Sequence, residues 1–598
     1  MILFLNLPMK STPDLNNLFP HFRKSMDYLL KKGNEFAEKY PSVARELNFA
    51  ENKVDDPHVQ RILESFAFFD ARLQWQIDDQ LSFLSSFLLD SLYPQFMAPF
   101  PSCTIVHFES KKNISNQKNI KIPKHTKISA NNKEDILCDF ITSQEITVND
   151  FNPKKISYMK TEDTELLESQ NYWCLSLETE NMKSFKNNSN VVFYINSDLF
   201  SAKSLYEHIL GYHPTEPTPI YLSDKSGKLL QKSKIGVITP KGFGEDESLI
   251  DRPIYTSDSH RLLMEYNIFP HKFLFLNFEI NNLNVNLEQI KGDIAFLIPL
   301  SKRTKPSLLP MSDNILMNNC CPAVNLFEQK SEPLRLDYEK DSYKIMSDRF
   351  DSNSEIHTIK EVFSYKSSFK NNRKVYYPYF SFSDIENGSE RSFWYSRREK
   401  EDKGSKMMIS FIDEDLDVEE YSEETVYADL LCTNRDKAQS INYKTSFQFN
   451  KIDNLSCVNI LKPTEQVDPQ YGGQSQWEII SNLSLNHVDL SINNSDIKPL
   501  RKMLEIYNFN FNQKYNEVIL GIKHKKTIAR MPNSPWTGSV PKIVIDLKIK
   551  DEVAEHFMLG KVLSCVISNN VGFNTLLEMR VFGSSNDDVP WKKWEVQN

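Results

Sequence analysis

The sequence predicts an α+β, multidomain protein: an N-terminal long-helix bundle segment, then β-rich mixed domains, then a small C-terminal α/β region. Three observations carry that prediction. The chain has 598 residues, too many for one hydrophobic core. Apolar residues from Val59 to Leu92 recur at steps of three and four, the period of a helix with one apolar face. From about Pro101 short apolar runs alternate with polar turns, as strands do. These shifts set the expected bounds: 1–100 helical, 101–315 and 316–465 two β-rich mixed domains, and 466–598 a C-terminal α+β region.

In the first hundred residues, Leu18, Phe22, Met26, Leu29, Leu30 and Phe36 space a helix that Gly33 interrupts and Pro41 stops. The next helix is clearer. Asp55 or Asp56 caps it, and Pro57 suits its first position. Val59, Ile62, Phe66, Phe69, Leu73, Ile77, Leu81, Leu84, Leu88 and Leu92 then make the stripe, with Gln60, Arg61, Glu64, Asp70, Arg72 and Asp78 on the other side. Tyr93-Pro94 ends it. Unbroken, it would run roughly 50 Å at about 1.5 Å per residue; a break between Asp79 and Ser82 is the alternative. The stripe needs cover, either from the chain's own first helix and next domain or from helices of other subunits. Composition alone favours the chain's own core.

Expected strands are Thr104 to Phe108, Ile120 to Ile122, Ile146 to Val148, Tyr172 to Leu177, Asn190 to Ile195, Phe273 to Ile280 and Asp293 to Leu300, with a short helix at Leu205 to Leu210. A Pro- and Asn-containing connector near Lys305 to Asn319 leads into a mixed region, Ala323 to Leu461, where Ser347 to Ser354 and Glu399 to Lys406 look like exposed loops. Trp477 to Asn486, Ile497 to Tyr507 and Glu552 to Ile567 have helical spacing, and Leu577, Met579 and Val581 alternate as in a strand.

The formal net charge is -9, without long blocks, and Lys523 to Lys526 is too short a run to mark a nucleic-acid face. The 39 Phe exclude a disordered chain. The eight cysteines include no CxxC pair, and most sit beside Leu, Ile or Val, as buried reduced thiols do in a reducing cytoplasm. No apolar run reaches the roughly 18 residues of a membrane span. The apolar start Met1 to Leu7 has no basic leader, and Met9 is an equally good start.

Signatures of catalysis are missing from the sequence: there is no P-loop, H-E-x-x-H, G-x-S-x-G or EF-hand loop. Gly242-Phe243-Gly244 is a lone GxG, a common turn former, and His208 and His213 are poorly spaced for a metal pair. No catalytic, cofactor-binding or metal residue is assigned, and no cofactor is expected.

Asp56 to Ser102, DPHVQRILESFAFFDARLQWQIDDQLSFLSSFLLDSLYPQFMAPFPS, resembles the N-terminal signature of the type VI secretion baseplate family TssF, also called VasA or ImpG. EFAEKYPSVARELNF (Glu35 to Phe49) fits the family's opening. In the same order follow GFGEDESLI (Gly242 to Ile250), RLLMEYNIFPHKFLFLNF (Arg261 to Phe278), CCPAVNLFEQKSEPLRLD (Cys320 to Asp337), FWYSRRE (Phe393 to Glu399), LCTNRD (Leu431 to Asp436), the Trp477 to Leu490 segment and LGKVLSCVISNNVGFNTL (Leu559 to Leu576). The chain departs from the family's pattern at Lys437-Ala438, where Leu-Pro is usual, and at Asn569, Asn570 and Gly572.

The resemblance implies a structural wedge subunit of the cytoplasmic baseplate and not an enzyme. It would pair with a second TssF copy and a TssG-like subunit through an N-terminal helical bundle. Its further partners would be a TssK-like adaptor, a TssE-like sheath initiator and a VgrG-like spike hub, with the inner-membrane complex reached indirectly and no nucleic acid involved. It would sit in the bacterial cytoplasm, at the inner face of the cytoplasmic membrane. The stripe then becomes a bundle interface of Val59, Ile62, Phe66, Phe69, Leu73, Ile77, Leu84 and Leu88, with Phe66, Phe69, Leu73 and Ile77 at its centre. Asn325, Phe327, Glu328 and Gln329, with Asn434, Arg435 and Asp436, are expected to be structural, their polar groups satisfying backbone at turns, with Asp436 paired to Arg435 or to a nearby amide. Rival readings are a wedge protein of a phage tail or related injection device, and a hydrolase or effector.

Overall fold

The computed structural model describes residues 15–42, 49–50, 53–54, 56–110, 120–149, 153–160, 173–179, 189–225, 227–251, 256, 258–285, 294–303, 309, 314–336, 340, 342–348, 353–365, 373–379, 392–401, 404–413, 425–449, 455–469, 476–477, 479–481, 497–507, 518–530, 539–550, 556–569, 575–583 and 590–597. The apolar start, the end of the Trp477 to Asn486 segment and the Asn570 to Gly572 departure lie outside them.

The chain opens as a helical hairpin. Helix α1 (Leu15–Lys39) and helix α2 (Pro57–Leu92) flank a two-residue strand pair in which Phe49 faces Val54. Asp56 caps α2 by accepting from the His58 N–H (2.8 Å), Pro57 takes the first helical position, and the Tyr93 N–H closes the last turn on the Leu89 carbonyl (2.6 Å). The helix runs through Asp79 to Ser82 unbroken. The seam between the helices is lined by small residues: Ser25 of α1 and Ala67 and Ala71 of α2 are all buried, and the Ser25 hydroxyl donates to Asp70 (2.6 Å).

Four larger sheets follow. A six-stranded antiparallel sheet runs in the order Ser446–Phe447, Leu455–Asn459, Cys103–Ser110, Cys320–Val324, Leu137–Thr142, Lys127–Asn131. Its strands come from three stretches far apart in sequence, on both sides of residue 315. A second sheet has Thr218–Asp224 and Leu229–Lys241 at its centre and Pro153–Lys160 at one edge. A third contains Phe327–Lys330, Thr425–Thr433, Glu355–Tyr365, Ser392–Lys400 and Ser405–Asp413. The fourth, C-terminal, is ordered Ile519–Arg530, Ser539–Ile549, Leu576–Phe582, Lys592–Gln597. Its middle pair is parallel, so a helix must cross between the two strands, as His556–Asn569 does.

One large core joins the second sheet to the C-terminal sheet through four helices: α3 (Leu199–Leu210), α4 (Asp258–Ile268), α5 (Lys498–Ile506) and α6 (His556–Asn569). The strand Cys320–Val324 is buried along its whole length because it walls two cores. Side chains alternate across a strand, so Cys320 enters the large core and Cys321 the core of the six-stranded sheet. Seven cysteines are buried free thiols, and Cys565 is half-buried.

Three local expectations need correcting. Phe273 to Ile280 is not all strand, since Pro270–Phe273 turns as a 3-10 helix before Phe275–Ile280. The short helix begins earlier, at Leu199, where Asp198 caps it through the Ser201 N–H (3.0 Å). The supposed loops are not simply exposed: Ser347 and Ser405 are buried, the two Ser347 and Ser354 hydroxyls bond each other (3.0 Å), and Ser405 starts a strand whose hairpin partner ends at Lys400.

Candidate interaction surface

Helix α2 divides into a seated half and a bare half. In the seated half Leu89 is buried, and the Ser85 and Ser86 hydroxyls both donate to Gln476 Oε1 (2.7 and 2.9 Å). Just beyond its end, the Tyr93 and Phe96 rings stand edge-on to His260 of α4 (4.8 and 6.4 Å between centroids), and His260 Nδ1 is hydrogen-bonded to the Tyr507 hydroxyl. Leu84 and Leu88 are half-buried there. In the bare half Val59 is half-buried, while Ile62, Phe66, Phe69, Leu73 and Ile77 are 55–63% exposed. The reason is the choice of face: α2 meets α1 with Ala67 and Ala71, roughly 140° round from the centre of the apolar stripe at about 100° per residue. Alanines allow close approach, so the large side chains point elsewhere and remain uncovered.

The NLFEQ and CTNRD segments meet in space. Asn325 Nδ2 donates to the Asp139 carbonyl (2.7 Å) and to Asn434 Oδ1 (2.8 Å), while Asn325 Oδ1 accepts from the Asn434 N–H (2.7 Å). Both asparagines are buried. Phe327 is buried opposite Cys432; Glu328 is exposed and pairs with Lys360 (2.5 Å); Gln329 is half-buried. Asp436 is exposed in the first turn of the 3-10 helix Arg435–Ser440.

Arg435 turns away from Asp436. Held at φ 49°, it directs Nε to Glu355 Oε2 (3.7 Å) and Nη2 to the Ser405 carbonyl (3.5 Å). Glu355 is buried and gathers a second family segment: the Ser405 hydroxyl and Gln466 Nε2 (2.8 Å) donate to it, and Arg398 of FWYSRRE lies 3.7 Å away. Arg398 also donates to the Ile356 (2.8 Å), His357 (2.8 Å) and Ser405 (2.7 Å) oxygens. The arrangement is a cross-brace between strand ends and the 3-10 turn at Arg435, and Glu355 was not singled out by the sequence.

The GxG turn has an internal occupant. Glu247 accepts from the Gly242 and Gly244 N–H groups (2.7 and 3.0 Å), filling the place an anionic ligand would take. The Gly244 carbonyl accepts from Arg261 (3.2 Å), which also binds Asp258 (2.6 Å) and Glu265 (2.9 Å). Lys272 completes the cluster on Glu265, and burial pushes its amine down to about 8 against the pull of that carboxylate. Four segments of the family pattern thus meet in two buried charge networks. Among the described residues no His, Cys, Asp or Glu group is arranged to hold a metal, and no helix is long and apolar enough to cross a membrane.

The family described as "Type VI secretion system, TssF" matches residues 15–598. The chain belongs to that family. Its relatives include the type VI secretion system component TssF1 of Pseudomonas aeruginosa strain PAO1, 23% identical over 94% of this chain and 96% of that protein. In fold it is similar to a chain of the TssK-TssF-TssG baseplate subcomplex solved by cryo-electron microscopy, with a TM-score of 0.69 at 20% identity over 90% of this chain and 98% of the other. It is also similar to a chain of the type VI baseplate complex, with a TM-score of 0.55 at 17% identity over 97% and 98%. For this TssF-family chain, the residues singled out by sequence fall into two places. Of the α2 residues, Ile62, Phe66, Phe69, Leu73 and Ile77 stand on the surface while Val59, Leu84 and Leu88 are half-buried, and the NLFEQ and CTNRD residues mostly brace the interior. Gln476 and Glu355 carried no local sequence signal, because each acts on residues distant in the chain.

Proposed function

We propose that this TssF-family chain is a structural wedge subunit of a type VI secretion baseplate and that the bare half of α2 is its bundle interface. The observation that carries the interface is the row Ile62, Phe66, Phe69, Leu73 and Ile77, exposed on a helix whose other end is anchored. Each large apolar side chain gains about 1.5–3 kcal/mol on burial, so the row offers on the order of 10 kcal/mol before the costs of association.

The relative solved with TssK and TssG supports a TssG-like subunit on the stripe and a TssK-like adaptor elsewhere. A second copy of this chain is the other proposed occupant of the stripe. A TssE-like sheath initiator and a VgrG-like hub complete the proposed wedge, assembled in the cytoplasm at the inner face of the cytoplasmic membrane. The chain then works by being assembled and turns over no substrate. The test is co-expression of the double variant Phe69→Asp, Leu73→Asp with the TssG-like partner. Co-purification is expected to be lost while the β-rich part keeps its fold by circular dichroism; full retention of the partner would refute the assignment.

A further inference from the structure

The two edges of the C-terminal sheet have different surroundings. At Lys592–Gln597 the edge meets the loop after α3: the Lys593 N–H donates to the Pro214 carbonyl (2.7 Å), and Lys592 Nζ donates to the carbonyls of His213 (2.7 Å) and Glu216 (2.9 Å). At the other edge, Ile519–Arg530 pairs with Ser539–Ile549 alone among the described residues, leaving its outer row of backbone groups without a strand. Its one irregularity lies between Ile519 and Gly521. From Gly521 to Arg530 the register with Lys548 to Ser539 is unbroken, a straight edge of roughly 30 Å at about 3.3 Å per residue.

The side chains on this edge have one sign. Lys523, Lys525, Lys526 and Arg530 are exposed, the strand contains no Asp or Glu, and the facing strand contains a single acid, Asp546, opposite Lys523. Ile528 stands among them, 78% exposed. Lysines on an edge discourage pairing with another copy of the same strand, because like charges would be set side by side. The same lysines favour an acidic strand.

We propose that Ile519–Arg530 is a docking edge for an acidic, extended segment of another protein, which adds to the sheet as a further strand and seats an apolar side chain on Ile528. Backbone hydrogen bonds would hold the segment, and the lysines would select its charge. The proposal is independent of the α2 interface, which lies in the N-terminal hairpin.

The test uses the full chain and a fluorescent twelve-residue peptide alternating Glu with Val, followed by anisotropy and by amide hydrogen exchange. Saturable binding is expected, with exchange slowed at alternate amides between Gly521 and Arg530. Two changes should each weaken binding about tenfold or more: N-methylation of alternate peptide amides, and the triple variant Lys523→Glu, Lys525→Glu, Lys526→Glu. The triple variant should instead take up the Lys-Val counterpart of the peptide. Equal binding of the N-methylated peptide, equal displacement by oligo-dT, or unchanged exchange along the strand would each overturn the proposal, leaving only charge attraction.

Discussion

Asn325 and Asn434 hold each other across 109 residues of sequence: the Asn434 N–H donates to Asn325 Oδ1 (2.7 Å), and Asn325 Nδ2 donates back to Asn434 Oδ1 (2.8 Å). The pair also ties in the Asp139 backbone on both sides, through its carbonyl to Asn325 (2.7 Å) and its N–H to Asn434 Oδ1 (3.3 Å). One amide side chain therefore joins the six-stranded sheet to the turn that follows Thr425–Thr433 of the third. Replacing Asn325 with Ala strands the Asn434 N–H and the Asp139 carbonyl in a buried site. Each stranded group costs about 1–3 kcal/mol, so Asn325→Ala should lower stability by roughly 2–6 kcal/mol, read as an earlier urea transition. Asn325→Asp should be as harmful, since a carboxylate has no proton to give the Asp139 carbonyl. Asp436→Ala, at an exposed site, should move the transition by less than about 0.5 kcal/mol. Equal effects at the two positions would contradict this account.

Glu355 and Arg398 set a second expectation. Arg398 is buried and serves two backbone carbonyls as well as the Glu355 cluster, so Arg398→Met removes every one of those contacts. Breaking one partner of a buried charge cluster costs about 3–5 kcal/mol. Thermal unfolding should show that loss for Arg398→Met and a much smaller one for Arg435→Ala, whose guanidinium is partly exposed. Gly404→Ala should also destabilise. Gly404 has φ 77°, and an added Cβ would lie 2.7 Å from Glu355 Oε2.

How much of this was readable in advance depended on distance along the chain. The ends of α2 were, because Asp56, Pro57 and Tyr93-Pro94 act on their own neighbours. The strand Ile146–Val148 was too, since the apolar Ile146 and Val148 on either side of Thr147 are a local pattern. Which face of α2 is buried was not: periodicity marks a stripe without naming its cover, and Ala67 and Ala71 looked unremarkable beside the Phe residues. The hairpin Ile519–Arg530 with Ser539–Ile549 was missed because Lys523, Lys525 and Lys526 break the apolar alternation. The six-stranded sheet and the Glu355 brace have no local signal at all, since their members come from far-separated stretches.

The helical hairpin offers a contrast between its two faces. Phe66→Ser alters a side chain 63% exposed, so the isolated chain should unfold as before and self-associate less in light scattering. Ala71→Leu forces bulk into a fully buried seam and should loosen α1 from α2, an overpacking cost of about 1–3 kcal/mol. Limited proteolysis should then cut within α1 in Ala71→Leu and spare it in Phe66→Ser. The reverse pattern would mean that the stripe, and not the alanine seam, is what α1 covers.

Acid should loosen the C-terminal sheet through Glu578. Burial alone would raise its carboxyl, but hydrogen bonds from Lys542 (2.5 Å) and Arg580 (2.5 Å) and their charges outweigh it and hold it at about 2, below the ordinary 4.5. The folded state therefore resists a proton that the unfolded chain accepts. The stabilisation is fully present above about 4.5, and it is lost as pH falls from there through about 2. Glu578→Gln cannot titrate, so it should be less stable than the native chain at neutral pH and the difference should shrink toward pH 2. Urea transitions measured at stepped pH and followed by Trp594 fluorescence would show the two curves converging; parallel curves across that window would mean that Glu578 gains nothing from Lys542 and Arg580.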